Sequence, residues 1–161
     1  FALGTDASFY RLSPQIVVQL ATIDELVNTL ALCIKYGVSC TFRAAGTSLS
    51  GQAVTDSVLL TLTDDWRDHQ VIDQGRKIKL QAGVIGSDAN SYLKPYQRKI
   101  GPDPASINTC KVAGIAANNA SGMCCGVAQN SYHTLDSIRI VLHDGAVLDT
   151  GDKESTAKFE I

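Results

Sequence analysis

The chain has 161 residues and a mass of 17.2 kDa, enough for one domain with a hydrophobic core or for two small lobes. Its net charge is −2, with 45% hydrophobic and 19% charged residues, as in an ordinary globular protein. This balance, without any basic stripe, gives no sign of a nucleic-acid surface or of a membrane surface. No apolar run approaches the ~18 residues that a membrane-spanning helix needs.

The cysteines show no metal-ligand spacing, and Cys124 and Cys125 are direct neighbours rather than a C-x-x-C pair. An odd number of cysteines without a framework indicates reduced thiols in a cytoplasmic setting. The only methionine is Met123, so Phe1 is not an initiator residue, and we expect the chain to be a piece of a longer protein. The five cysteines are Cys33, Cys40, Cys110, Cys124 and Cys125.

The first predicted elements are a strand and a helix. A polar lead-in over residues 1–11 comes first, and the β-branched run at residues 16–20 then predicts a strand. Thr22 and Glu25 have the T-x-x-E spacing of a capping box, in which each side chain accepts a hydrogen bond from the other residue's N–H group. Apolar residues recur at helical spacing after it, and Gly37 suits the left-handed position that ends a helix.

Two further strands are predicted at residues 38–42 and 57–62, with the small polar stretch FRAAGTSLSGQA (residues 42–53) between them. Such a stretch can turn several successive N–H groups toward one point, and a nest of amides binds phosphate oxygens without a cationic side chain. Its glycines allow positive φ and the close approach of a ligand. We therefore interpret residues 42–53 as a pyrophosphate-binding loop.

Three other interpretations of this loop compete. Gly46 and Gly51 have the glycine spacing of the P-loop of nucleotide triphosphatases, but Gln52 and Ala53 replace the lysine and the hydroxyl residue that triphosphate chemistry needs. The G-x-G-x-x-G fingerprint of Rossmann folds does not occur in the sequence. A plain loop between two strands stays open, although the strand–loop–strand context separates this loop from both nucleotide motifs.

The middle of the chain predicts a hairpin. Residues 71–73 and 77–81 alternate polar and apolar side chains on either side of a turn at Gln74 and Gly75. Trp66 lies in the charged, loop-like stretch before the hairpin, and we expect it to pack onto the core.

A short helix and an irregular segment follow the hairpin. Ser87 can cap a helix over about residues 88–96, and Pro95 limits its length. Residues 101–106 must be irregular because each of their two prolines restricts the preceding residue to extended conformations.

Residues 112–122 form a second tract of small side chains. Close packing between helices or strands is one explanation for it. Two such tracts in one short domain also suggest two walls around a ligand.

The last third of the chain predicts another hairpin. Residues 135–142 alternate as a strand, Asp144 and Gly145 form a tight turn, and residues 146–149 return. From Gly151 onward the chain is charged, and no closing element is predicted. Because strands outnumber helices and hairpins are present, the pattern predicts an α+β fold with two small sub-lobes.

Four stretches form a set: TDAS at residues 5–8 with Tyr10, RAAGTSLSG at 43–51, PDPAS at 102–106 with the small tract at 114–122, and residues 138–145. Together they resemble the FAD-binding domain of the p-cresol methylhydroxylase and vanillyl-alcohol oxidase type. Within that family the similarity is greatest to the branch of FAD-linked oxidases that contains the glycolate oxidase subunit and D-lactate dehydrogenase. The stretches follow the family's order over nearly the whole chain.

The resemblance implies a two-lobed α+β domain over residues 1–161, with mixed small sheets and flanking helices. An N-terminal βαβ lobe (residues 1–62) would carry the pyrophosphate loop, and residues 63–161 would form the second lobe. It also implies a set of residues that contact FAD: Arg43, Ala44, Ala45, Gly46, Thr47, Ser48, Leu49, Gly51 and Gln52 in the loop, Pro104 and Ser106 in the irregular segment, and Gly114, Asn118, Asn119, Ser121 and Gly122 in the small tract.

Two departures from the family pattern are present. Asn-Ala-Ser-Gly at residues 119–122 stands where the family has Asn-Ala-Gly-Gly, and Ala128-Gln129 replaces the family's Tyr-Gly. No function is assigned to the second pair. The residues also leave two interpretations of Arg43 open, because it can pair with the phosphate or can end a strand and face solvent or a carboxylate.

In the resembled branch, FAD takes a hydride from the carbinol carbon of a 2-hydroxy acid such as D-lactate or glycolate. That reaction needs a base and a cation for the carboxylate, and in related proteins both come from a separate substrate domain. We assign no catalytic residue and no metal site in this chain, because His69, His133 and His143 all lie outside the small tracts. We expect no turnover, and weak FAD binding at most, from this chain alone.

The resemblance also implies partners and a location. An iron–sulfur domain or subunit outside this chain is an implied partner, the electron acceptor is not identified, and no nucleic-acid partner is expected. We expect the full-length protein in the cytoplasm, either free or peripheral to the inner face of the membrane. Two alternative functions stay open: a non-redox module that binds another phosphate or nucleotide ligand, and a nicotinamide-dependent enol-ether reductase built on the same domain type.

We predict that FAD is held without a covalent bond. Family members that attach the flavin through this loop place a histidine where this chain has Thr47, and the loop contains no cysteine. Acid precipitation of the yellow holoprotein should therefore release all of the colour into the supernatant. Colour that stays with the pellet would contradict the prediction.

Overall fold

The computed structural model describes residues 2–159, so the predicted domain's end residues Phe1, Glu160 and Ile161 lie outside the described part. The first half contains a three-stranded parallel sheet. Its elements are β1 (Ile16–Leu20), helix α1 (Ile23–Tyr36), β2 (Cys40–Arg43) and β3 (Val58–Leu62). Both β1 and β2 pair with β3, so that β3 lies in the centre of the sheet.

Helix α1 begins and ends as the sequence predicted. The N–H group of Glu25 donates to the Thr22 hydroxyl (3.1 Å), and Gly37 adopts φ +62° at the C-terminal cap. The reciprocal bond differs from a standard capping box, because the Glu25 carboxylate accepts from the Ala21 N–H group (2.7 Å). The cap therefore reaches one residue further back than predicted.

The main core lies between α1 and one face of the parallel sheet. Its buried members come from α1, β1 and β3, and the indole N–H group of half-buried Trp66 donates to the carbonyl of Leu20 beside them (2.9 Å). This contact confirms that Trp66 packs onto the core. The core cluster comprises Leu20, Leu26, Leu30, Cys33, Val58 and Leu60, with Val18, Cys40, Leu62 and Val141 packed against it.

The predicted hairpin is confirmed as β4 (His69–Ile72) and β5 (Lys77–Leu80), preceded by a 3₁₀ turn at Asp64–Trp66 and joined by another at Asp73–Gly75. Helix α2 (Gly86–Leu93) follows, and a 3₁₀ turn at Lys94–Tyr96 contains Pro95. The α-helix thus ends at Leu93, before the predicted end at about residue 96, and Pro95 limits it as expected.

The predicted Ser87 cap is wrong, because Ser87 lies inside α2. The N–H groups of Gly86 and Ser87 donate to the carbonyls of Cys110 (3.0 Å) and Ile107 (2.9 Å). A segment distant in sequence therefore satisfies the first amides of α2, and no side-chain cap is needed.

The second small tract begins with the short helix α3 (Val112–Ala117), and α4 (Ser131–Thr134) follows. The predicted strand over residues 135–142 is correct only at β6 (Arg139–Val141), which pairs with β7 (Val147–Asp149). Its first residue caps α4 instead, because the N–H group of Leu135 donates to the carbonyl of Ser131 (3.0 Å).

The expectation that no element follows Gly151 is wrong. Helix α5 (Lys153–Ala157) begins there, and the carboxylate of Asp152 accepts from the Glu154 N–H group (3.0 Å) as its cap. The hydroxyl of Ser155 accepts from the Asp149 N–H group, which ties α5 to β7 (2.9 Å). The division of the chain at residue 62 into two lobes stays a prediction.

Candidate functional site

The loop that the sequence singled out follows β2 and lies in the connection from β2 to β3. Gly46 (φ +69°) and Gly51 (φ +71°) both adopt the left-handed conformation that a loop of this kind requires. Residues 44–48 are half-buried, whereas Leu49 is exposed. The end of the loop descends into the protein, where Ala53 and Val54 are buried.

Arg43 ends β2, and its side chain folds back against the loop and the start of the chain. Its Nη1 atom donates to the carbonyl of Thr5 (2.7 Å) and lies 3.4 Å from the carbonyls of Leu3 and Ala53. The guanidinium group also covers Gly46, where an added Cβ would lie no more than 3.0 Å from three guanidinium atoms. Direct contact between Arg43 and a phosphate stays a prediction.

Residues 3–12, here called the N-terminal segment, pack along the same loop. The segment closes on itself through a bridge between Thr5 and Arg11, and the N–H group of Ala7 donates to the carbonyl of Gly46 (2.9 Å). The ring of Tyr10 covers Gly51, since a Cβ there would lie 2.5 Å from Cδ2. Each loop glycine is thus covered by a side chain.

Asp6 is the acidic residue of the N-terminal segment. Partial burial raises the pKa of Asp6, but the hydrogen bonds from Ser8, the nearby N–H group of Ala53 and the positive charge of Arg43 together hold this pKa below its usual value. Oδ1 accepts from the Ser8 N–H group (2.8 Å), whereas Oδ2 is buried without a hydrogen-bond partner at normal distance among the described residues. The ionised carboxylate of Asp6 therefore interacts electrostatically with the guanidinium group of Arg43.

The second small tract lies beside the first one at Gly114. A Cβ built on Gly114 of α3 would lie 3.4 Å from the Cβ of Ala44 in the loop, so the two tracts touch at this point. A Cβ at Gly114 would make an ordinary van der Waals contact with Ala44, so little more than a methyl group fits between the tracts here. This proximity fits both explanations of the small tract, close packing and a wall beside a ligand, and the second stays a prediction.

After α3 the chain makes a tight turn over residues 118–122. Asn119 adopts φ +46°, and its side-chain carbonyl accepts from the Tyr132 N–H group (3.0 Å). The buried hydroxyl of Ser131 lies within hydrogen-bond distance of the carbonyls of Ile115 (3.1 Å) and Ala120 (2.8 Å). Helix α4 therefore holds the turn in place.

The turn in turn packs on the irregular proline segment. The N–H group of Asp103 donates to the carbonyl of Ser121 (2.6 Å), and a Cβ at Gly122 would overlap the Asp103 carbonyl and crowd the Pro104 nitrogen. Pro104 is thus adjacent to Gly122. Ser106 lies in the turn that leads to Cys110, and its described contacts do not reach the loop.

The structure therefore brings most of the predicted site residues into three connected segments, although Asn118 is exposed at the end of α3. Sequence reasoning missed the supporting residues Asp6, Ala7, Tyr10 and Ser131 as parts of the site. The TDAS stretch with Tyr10 was the available signal for the first three.

Other candidate chemistry is sparse. Residues 2–159 contain no group of three or more His, Cys, Asp or Glu side chains that could hold a metal ion. The ring of His69 stacks on Tyr92, and the ring of His133 contacts the Asn130 side chain (2.8 Å). Within the same described range, no helix has the length and apolar content needed to cross a bilayer.

The family model described as "FAD binding domain" matches residues 14–151, which include both small tracts and the contact between them. The chain belongs to this FAD-binding family.

Two relatives illustrate the similarity of this FAD-binding domain. It is 32% identical over 149 residues to the glycolate oxidase subunit GlcD of Escherichia coli K12, covering 89% of this chain and 29% of that protein. It is 29% identical over 164 residues to the D-2-hydroxyglutarate dehydrogenase of Haemophilus influenzae, covering 99% of this chain and 16% of that protein. The FAD-binding domain thus spans less than a third of either relative.

Solved structures confirm the fold of the FAD-binding domain. The 6-hydroxy-D-nicotine oxidase of Arthrobacter nicotinovorans superposes with a TM-score of 0.79 at 13% identity, covering 92% of this chain and 32% of that one. A chitooligosaccharide oxidase gives a TM-score of 0.74 at 17% identity, covering 96% of this chain and 33% of that one. The α+β prediction, with mixed small sheets and flanking helices, is therefore confirmed.

We predict that Gly46→Ala weakens FAD binding more than it weakens the fold. Both Gly46 and Gly37 have positive φ, but a Cβ at Gly37 meets nothing within 4 Å, whereas a Cβ at Gly46 displaces the Arg43 guanidinium. The left-handed strain of an alanine costs roughly 1–2 kcal/mol at either position. Urea unfolding and FAD titration of both variants of the full-length protein separate the effects.

The matched control is Gly37→Ala, which should lose stability but keep FAD affinity within about twofold. Gly46→Ala should lose at least about tenfold in FAD affinity, or about 1.4 kcal/mol. Equal FAD affinities in the two variants would contradict the assignment of this loop.

A second pair of glycines tests the other wall. We predict that Gly122→Ala disrupts the packing of the 118–122 turn on Asp103, because the added Cβ overlaps a backbone oxygen that cannot rotate away. Gly126→Ala is the control, since Gly126 also has positive φ (+54°) and open space around its Cα. Thermal unfolding should show a lower melting temperature for Gly122→Ala than for Gly126→Ala, and the reverse order would contradict the prediction.

Proposed function

We propose that the full-length protein is an FAD-dependent dehydrogenase or oxidase that takes a hydride from a 2-hydroxy acid such as D-lactate or glycolate. The observation that carries the proposal is the proximity of Gly114 to Ala44, which brings the second small tract beside the loop of residues 42–53. The relatives named glycolate oxidase subunit and D-2-hydroxyglutarate dehydrogenase support the class of substrate.

The loop residues fit a pyrophosphate on one structural criterion. Among residues 2–159, no protein oxygen accepts a hydrogen bond from the N–H groups of residues 45–49. Such amides must bond to water or to a ligand, and oriented backbone amides favour anions. The loop therefore offers donors to the two phosphates of FAD without requiring a lysine or arginine side chain.

We propose that the FAD-binding residues are those that the resemblance implies. Residues 43–49, Gly51 and Gln52 would hold the pyrophosphate, and residues 114–122 with Pro104 and Ser106 would form the wall along the rest of the cofactor. Bound FAD supplies the hydride-accepting atom for oxidation of the hydroxy acid. The small residues contribute by letting the backbone approach the cofactor and by leaving no side chain between the two walls.

The base and the carboxylate-binding cation are proposed to lie outside this chain. The ring of His69 stacks on Tyr92, and the ring of His133 is within hydrogen-bond distance of the Asn130 side chain. Both histidines are exposed on the surface rather than placed between the small tracts. An iron–sulfur domain or subunit is the proposed partner that removes electrons from the reduced flavin. A cytoplasmic location, free or peripheral to the inner face of the membrane, agrees with five free cysteines.

The proposal predicts which compounds reduce the bound flavin. The full-length protein, purified with FAD and kept anaerobic, should lose its visible flavin absorbance when mixed with D-lactate, glycolate or D-2-hydroxyglutarate. L-lactate is the matched control, because it has the same atoms with the opposite hand at the carbinol carbon, and it should reduce the flavin far more slowly than D-lactate.

Other outcomes identify other functions. Bleaching by a reduced nicotinamide cofactor but by none of the hydroxy acids would indicate the enol-ether reductase alternative. A purified full-length protein that takes up no FAD would indicate a different phosphate-containing ligand. Rapid bleaching in the 161-residue chain alone would show that the catalytic groups lie within it.

A further inference from the structure

Arg43 is placed where it can hold the phosphate loop rather than bind the phosphate. Its Nη1 atom bonds to Thr5 in the N-terminal segment and lies near the carbonyl of Ala53 at the end of the loop. Its guanidinium covers Gly46 in the middle of the loop. One side chain therefore contacts the loop at two points and the N-terminal segment at a third.

The N-terminal segment makes its own contacts with the same loop. The Ala7 N–H group donates to the Gly46 carbonyl (2.9 Å), and the Tyr10 ring covers Gly51. The segment itself is closed by the Thr5–Arg11 bridge and by a bond from the Leu12 N–H group to the carbonyl of Gly4 (3.1 Å). Displacing this segment would uncover Gly51 and break the hydrogen bond to the Gly46 carbonyl.

We propose that Arg43 is a positioning residue that fastens the phosphate loop to the N-terminal segment, so that ordering of residues 3–12 and binding of FAD are thermodynamically coupled. The inference rests on the proposed FAD site. It assigns the N-terminal segment a role in cofactor affinity although the family model begins after it, at residue 14.

The direction of the Arg43 donors supports positioning over direct phosphate contact. A guanidinium presents its donors in a fixed fork, and the end bearing Nη1 is directed at backbone carbonyls. The Arg43 charge also acts on the nearby Asp6 carboxylate and helps to lower its pKa. The donors that the loop itself offers to a pyrophosphate are the N–H groups of residues 45–49, which have no acceptor among residues 2–159.

Coupling of this kind is reciprocal. If the ordered N-terminal segment increases FAD affinity by some factor, bound FAD must stabilise the ordered segment by the same factor. The amide of Ala7 reports the state of the segment directly, because its hydrogen bond to Gly46 exists only when segment and loop are together.

The experiment uses the full-length protein and three variants. Arg43→Met removes every donor but keeps an unbranched apolar stem, Arg43→Lys keeps one charged donor, and Arg67→Met is the control. Arg67 is an exposed arginine paired with Asp64 (2.6 Å) outside the site. Hydrogen–deuterium exchange of Ala7 and of β3 is measured with and without FAD, and FAD affinity is measured by titration.

We expect Arg43→Met to speed exchange at Ala7 and to weaken FAD binding, each at least about tenfold, with β3 still protected. Arg43→Lys should fall between this variant and the parent, Arg67→Met should match the parent, and FAD should slow exchange at Ala7 in the parent. If Arg43→Met merely destabilised the fold, exchange would also become faster in β3. In that case Arg43→Lys, in which β3 should stay protected, tests the inference by its exchange rate at Ala7 and its FAD affinity.

Two results would overturn the inference. Lost FAD affinity with unchanged exchange at Ala7 would make Arg43 a direct phosphate ligand, and faster exchange with unchanged affinity would show that the segment is not coupled to the site. If the parent binds no FAD, the proposed function fails and the coupling with it. The ratio of the Ala7 exchange rates in Arg43→Met and in the parent, measured without FAD, then still shows whether Arg43 fastens the segment to the loop.

Discussion

The structure depends on the parallel pairing of β2 with β3. Because the strands run in the same direction, the chain that leaves β2 at Arg43 must travel back along the sheet before Val58 can pair with Cys40. Such a connection takes a dozen or more residues and is usually made by a helix. Here an irregular loop makes it, and a loop has no ladder of its own to satisfy its backbone groups.

In this loop the backbone carbonyl groups and the backbone N–H groups differ in whether they find hydrogen-bond partners. The carbonyl of Gly46 accepts a hydrogen bond from the Ala7 N–H group, and the carbonyl of Ala53 lies within hydrogen-bond distance of Arg43 Nη1. The N–H groups of residues 45–49, by contrast, have no acceptor among the described residues. A segment with held carbonyls and free amides is electropositive at its surface without any net charge. The pyrophosphate binding that we propose for this loop therefore follows from how a parallel crossover is built without a helix.

The sequence predicted the elements whose signals are local. Helix α1 carries its own cap at Thr22 and its own stop at Gly37, and the β4–β5 hairpin carries its own turn, so both could be identified from neighbouring residues. The start of α2 could not, because its first amides bond to carbonyls beyond residue 106. Ser87 is a residue type that commonly caps helices, but the carbonyls of Ile107 and Cys110 satisfy the first N–H groups of α2 instead.

The supporting part of the site was missed for the same reason. The lead-in over residues 1–11 has no hydrophobic period, so it predicted no element and no contact. Its importance comes from hydrogen bonds and packing to residues about forty positions away, such as Thr5 with Arg43. The loop residues themselves were visible because small side chains in a run are uncommon enough to suggest a purpose.

The position of Ser121 shows what the small tract requires. The resembled family has glycine there, yet Ser121 fits because its hydroxyl turns back to the Asn119 carbonyl (3.2 Å) and only its own carbonyl faces Asp103. At Gly122, by contrast, the Asp103 carbonyl occupies the place of a Cβ. Contacts made by backbone atoms limit side-chain size at a few points and leave the rest of the sequence free to vary. That freedom accounts for a TM-score of 0.79 to an oxidase at 13% identity.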